Sequence, residues 1–103
     1  MDMEPTSGAG KKPRDRTPEA MAFAAQLRAE RGAAKLSQAE LAKMSGIGHS
    51  TLVRLENGTR VMDTAQLGAL CRALGISLTT FAMRADERLR EISEAEERRV
   101  GNA

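Results

Sequence analysis

Tryptophan and tyrosine are absent from this chain, phenylalanine occurs twice, and cysteine and histidine occur once each. So few aromatic rings leave no platform for stacking the bases of single-stranded nucleic acid. The lone thiol, Cys71, excludes an internal disulfide and a multi-cysteine zinc site; its helical spacing with Leu67, Leu70 and Leu74 predicts a buried structural role. With one histidine, no metal-ligand cluster, no phosphate-cradling glycine loop and no nucleophile beside a base, nothing assembles a reaction centre. The expectation is a non-enzyme with no catalytic residue, no cofactor and no metal. Also missing are an apolar run long enough to span a bilayer and a basic-then-apolar leader, so a cytosolic protein without a membrane partner is expected.

What remains is a chain of 103 residues, enough for one domain with tails, whose core must be built of Leu, Ala, Ile, Met and Val. The net charge of +2 is modest, but its distribution is not. Residues 11–60 carry ten Lys or Arg against five Asp or Glu, whereas residues 61–103 carry six against seven. The informative stretch, residues 37–58, lies in the basic half. Ser37 and Glu40 have the spacing of a capping box, which starts a helix at Gln38. Leu41 and Ala42 supply its apolar stripe, and Ser45-Gly46 stops it, because a turn this short needs a residue that tolerates positive φ. Ile47 plugs the corner. A second helix opens near Gly48 and runs to Asn57, with Leu52, Leu55 and Glu56 on one side and His49, Ser50, Val53 and Arg54 on the other; Gly58 ends it. Two short helices bent about a glycine, with one inner and one outer face, form the pattern of a DNA-reading helix-turn-helix.

This segment resembles the helix-turn-helix of the phage repressor and Cro family, the XRE type. The shared elements are Gln38 opening the first motif helix, Leu41-Ala42 within it, Gly46 at the turn, and the ending Leu55-Glu56-Asn57-Gly58. Arg31, before the motif, and Leu74-Gly75-Ile76-Ser77-Leu78, where the family bends between its last two helices, extend the likeness to residues 20–83. Two positions depart from it: Glu30, where the family usually has an apolar residue, and Lys35, where it usually has glycine. The resemblance implies an all-α, five-helix repressor-like domain. It also implies that Arg31 and Glu56 form a structural ion pair, and that Thr51, Asn57, Thr59 and Arg60 lie along the DNA backbone.

The residues themselves suggest further contacts. Gln38 at a helix start is suited to a phosphate through its amide, with the backbone N–H groups and helix dipole adding to the attraction. Arg54 is the candidate for reading guanine, since its planar fork meets O6 and N7 together, and a phosphate suits it equally. His49 and Ser50 open the recognition helix, where bases are usually touched. Ordinary surface polarity is the alternative for each of these side chains.

Three segments are expected. Residues 1–16 form a flexible basic arm, whose Lys11, Lys12, Arg14 and Arg16 resemble the arms that some family members wrap around the duplex. Residues 17–83 form the DNA-binding domain. Its first helix is opened by Thr17-Pro18-Glu19 and carries Phe23, Leu27, Arg31 and Ala34 on one face; Asp63 caps the fourth helix and Ser77 a short fifth one containing Leu78 and Phe81. Residues 84–103 form a charged helical extension with Leu89, Ile92 and Ala95 as a thin stripe, expected to fold back on the domain or to pair with another copy.

The expected function is a sequence-specific regulator of transcription that binds a double-stranded DNA operator in the bacterial cytosol, at the nucleoid. Its most concrete form is a temperate-phage immunity repressor or Cro-like regulator that blocks a promoter. Weak homodimerisation is expected and a small-molecule ligand is not. Two other readings stay open: the antitoxin of a toxin-antitoxin pair, with residues 86–99 holding the toxin, and a protein-interaction module that kept the fold.

Overall fold

Local capping chemistry sets where most of the helices begin. The computed structural model describes residues 17–101 and contains five helices; among the described residues there is no strand. Helix α1 (Pro18–Ala33) starts at Thr17, whose hydroxyl accepts the Ala20 N–H at 3.1 Å, with proline placed where a missing N–H costs nothing. Helix α2 (Gln38–Ser45) opens on a complete capping box: Ser37 Oγ accepts from the Glu40 N–H at 3.0 Å, and the Glu40 carboxylate accepts from the Ser37 N–H at 2.8 Å. That backbone hydrogen bond holds the Glu40 carboxyl below its ordinary pKa. Helix α3 (His49–Asn57) follows the glycine turn. Helix α4 (Thr64–Leu74) has a second reciprocal box between Asp63 and Gln66, and α5 (Leu78–Gly101) is preceded by Ser77, whose hydroxyl accepts the Thr80 N–H.

The core consists of Leu27, Leu41, Ala42, Leu52, Leu55, Leu70, Cys71, Phe81 and Ala85, with Phe23, Leu36, Ile47 and Leu67 packed around it. Helix α1 lies across the middle, against α5 on one side and α3 on the other, while α4 supports α2. Its buried positions include Ala20, Ala22 and Ala24, whose small side chains let neighbouring backbones approach. Gly58 uses this opening. With φ at +79°, it lies beside the Ala20 carbonyl and the Ala24 methyl, so the end of α3 rests on α1. Ala34, expected on the inner face of α1, lies beyond the helix and is exposed. Burial pushes the Cys71 thiol pKa up, with the nearby negative charge of Glu30 adding to the shift, in keeping with a buried structural thiol.

The loop between α1 and α2 accounts for one departure from the family pattern. Lys35 adopts φ of +58°, the only non-glycine residue among those described with positive φ. The left-handed conformation costs an L-residue roughly 1–2 kcal/mol, partly offset by the larger chain entropy that glycine loses on folding. Lys35→Gly is therefore expected to stabilise the domain by about 0.5–1 kcal/mol, measured as a rise in the urea midpoint at constant m.

A correction concerns the C-terminal part. The short fifth helix and the charged segment from Asp86 are one continuous helix of 24 residues, about 36 Å long, so the expected boundary at residues 83–84 falls inside it. Ala82, Met83, Arg84 and Ala85 contain no helix breaker, and hydrogen bonding continues through the change from apolar to charged composition. Phe81 and Ala85 are buried and Arg88, Leu89 and Ile92 half-buried, a helical stripe that folds back on the domain. Ala95 is exposed, as is every residue described after Ser93.

A polar seam joins α5 to α1. Gln26 is buried; its amide nitrogen donates to Glu30 Oε2 at 2.7 Å, and its amide oxygen accepts from Arg88 Nε at 2.7 Å. Arg84 Nη1 bonds the same Glu30 oxygen at 2.7 Å. The acid found where the family usually has an apolar residue is thus held by Gln26 on its own helix and by Arg84 on α5.

Candidate nucleic-acid interface

The angle between α2 and α3 is set by few atoms. Gly46 takes φ of +75° and its N–H donates to the Ala42 carbonyl at 2.9 Å, while the Ile47 N–H shares that acceptor at 3.2 Å. Ile47 is half-buried in the corner, as its position predicts. Leu52 and Leu55 are fully buried beneath α3, leaving the opposite side of this two-turn helix in solvent.

Glu56 is the unusual member of the inner side, a carboxylate only 2% exposed. Arg31 meets it with two prongs, Nε to Oε2 at 2.7 Å and Nη2 to Oε1 at 3.0 Å, while Arg31 Nη1 donates to the Leu36 carbonyl at 2.9 Å. The hydrogen bond from Arg31 to Glu56 raises the guanidinium pKa, with burial opposing and the carboxylate charge assisting. Gln38 Nε2 adds a third donor to Oε1 at 3.0 Å, and Arg28 donates to the Glu56 backbone carbonyl. One carboxylate therefore fastens α1, the start of α2 and the end of α3 into a single clamp.

The candidate contact residues surround this clamp. His49 and Ser50 in the first turn of α3, and Arg54 one turn later, are all exposed. Thr51 is half-buried and Arg60 is exposed in the following loop. Asn57 organises that loop: its side-chain oxygen accepts the Thr59 N–H at 3.1 Å and the Thr59 hydroxyl at 2.6 Å. Gln38 commits one amide hydrogen to Glu56, a structural engagement not anticipated beside its proposed phosphate contact. Lys11, Lys12, Arg14 and Arg16 lie outside the described residues. Helix α3 is preceded by Gly48 and has no side-chain capping hydrogen bond at its start. Sequence reasoning missed Arg28 and the Gln38–Glu56 bond; the spacing of Arg28 and Arg31, one helical turn apart on α1, is the signal from which the former could have been found.

Among the described residues no helix is long and apolar enough to cross a membrane. The family model of a helix-turn-helix domain matches residues 22–82, from the first turns of α1 into α5. No curated protein sequence matches the chain. Among solved structures it is similar to the clp gene regulator ClgR from Corynebacterium glutamicum, at 26% identity and a TM-score of 0.72 over 80% of this chain and 88% of that one. A second crystal structure of ClgR from C. glutamicum matches at 29% identity and a TM-score of 0.64, covering 67% and 90%. The restriction-modification controller protein C.AhdI from Aeromonas hydrophila matches at 31% identity and a TM-score of 0.61, covering 63% of this chain and 98% of its own. With the motif, the Arg31–Glu56 clamp and the five-helix order in agreement with this match, the chain belongs to the XRE-type helix-turn-helix family.

Proposed function

We propose that the protein is a sequence-specific transcriptional regulator that sets α3 into the major groove of an operator and excludes polymerase from the promoter. The observation that carries this reading is the three-helix clamp on Glu56, which fixes α3 from behind while His49, Ser50 and Arg54 stand free in front. In this reading Arg54 takes guanine by its two-pronged edge, with His49 and Ser50 reaching bases from the leading turn. Gln38, Thr51, Asn57, Thr59 and Arg60 grip the sugar-phosphate backbone, and the basic arm adds salt-sensitive affinity. The solved relatives, one described as a gene regulator and the other as a controller protein, support a regulatory role.

Within that role, a temperate-phage immunity repressor is the form suggested by the motif from Gln38 to Gly58. Finding an integrase gene beside this one would support it; finding a toxin or restriction gene there would point to an antitoxin or a controller. The mainly apolar trough lined by Phe23, Leu78, Ala82, Met83 and Leu89, with Thr79 and Asp86, supports weak pairing with a second copy, which would present two recognition helices to paired half-sites.

Arg54→Ala tests the reading. It is expected to weaken operator binding by about 1–3 kcal/mol and to relax the choice at one base pair, measured by titration against the operator and its single-base variants. Equal weakening on operator and random duplex would assign Arg54 to the phosphates.

A further inference from the structure

Val53 is the only exposed apolar side chain on α3; Leu52 and Leu55, its apolar neighbours in sequence, are fully buried. Isolated surface valines are common and need no explanation. This one differs in where it stands. One turn away along the helix it has His49, Ser50 and Asn57, and next to it Arg54, so its neighbours on the outer side of α3 are polar. Nor does the helix favour it, because a β-branched side chain loses rotamer freedom there and forms helix less readily than alanine.

The edges of base pairs in a major groove present hydrogen-bonding groups with one apolar exception, the C5-methyl of thymine. Resting on the DNA-reading role proposed above, we propose that Val53 is a specificity-determining residue that packs on the C5-methyl of a thymine adjoining the base read by Arg54. Consecutive residues on a helix stand about 100° apart around its axis and 1.5 Å apart along it, so Val53 and Arg54 address neighbouring positions in the groove. The chemistry recognised is the methyl group, since uracil offers the same hydrogen-bonding edge without it.

The test begins by selecting duplexes from a random library with the full-length protein. Each thymine of the selected site is then replaced singly by deoxyuridine. One replacement is expected to weaken binding by about fourfold, the equivalent of one methyl-sized group returned to water. Val53→Ala should weaken binding to the unmodified duplex by a similar factor and be indifferent to deoxyuridine at that position, while circular dichroism shows its helix content unchanged. This non-additivity ties the methyl to the side chain. Two results would overturn the assignment: a selected site in which no thymine methyl matters, or a deoxyuridine loss that persists in full in Val53→Ala. A protein that selects no sequence and binds all duplexes alike would instead overturn the base-reading role of α3 itself, and the assignment with it.

Discussion

Arg31→Ala is expected to destabilise the domain by about 3–5 kcal/mol, because it removes one partner of a buried pair and leaves the other charge uncompensated. Glu56 is the residue left behind. At 2% exposure it cannot turn to water, and its carboxylate would retain only the Gln38 amide among the side-chain donors it now has. The Leu36 carbonyl would also lose the donor that closes the loop after α1. Urea unfolding at constant m measures the effect, and the paired substitution Arg31→Met with Glu56→Leu provides the contrast, since replacing both ions by apolar groups is often neutral or favourable. A loss below about 1 kcal/mol for Arg31→Ala would show that Glu56 is not isolated by the change, and that the clamp orients α3 without holding the fold.

Phe81→Ala should have a comparable cost, about 3–5 kcal/mol, from lost burial and the cavity left behind. Phe81 is 1% exposed and packs on Phe23 with ring centroids 5.8 Å apart and planes tilted by 51°. It is the largest fully buried side chain and the main apolar attachment of α5 to the rest of the core. Phe81→Leu keeps most of the apolar contact and should cost appreciably less. Thermal and urea unfolding of the two variants compare them directly. If both cost the same small amount, the polar seam of Gln26, Glu30, Arg84 and Arg88 holds α5 in place, rather than the ring.

What the sequence revealed and what it hid divide along physical range. Caps are local, and Thr17, Ser37 with Glu40, and Asp63 set helix starts within three or four residues of chain, so they were legible. The outward set of α3 was legible for a similar reason, because Leu52, Leu55 and Glu56 fix the inward direction and periodicity assigns the rest. The Arg31–Glu56 pair joins residues 25 apart, and only the family resemblance anticipated it. No such guide existed for the seam, whose bonds from Arg84 to Glu30 and from Arg88 to Gln26 span 54 and 62 residues. Lys35 concealed a left-handed turn behind a side chain that seldom adopts one. From Arg84 onward a change of composition resembled a boundary, although a helix ends only where its hydrogen bonds are broken or capped.

The continuity of α5 has a consequence for its motion. Near Phe81 and Ala85 an amide exchanges with solvent only when α5 leaves the core, an event that approaches global unfolding in cost. From Glu94 to Gly101, where every side chain is exposed, breaking the last hydrogen bonds exposes no buried surface, and fraying costs little. A single helix thus grades from a segment anchored by buried side chains to a fully exposed one. Its final two turns can unwind and re-form without disturbing α3 or the clamp on Glu56.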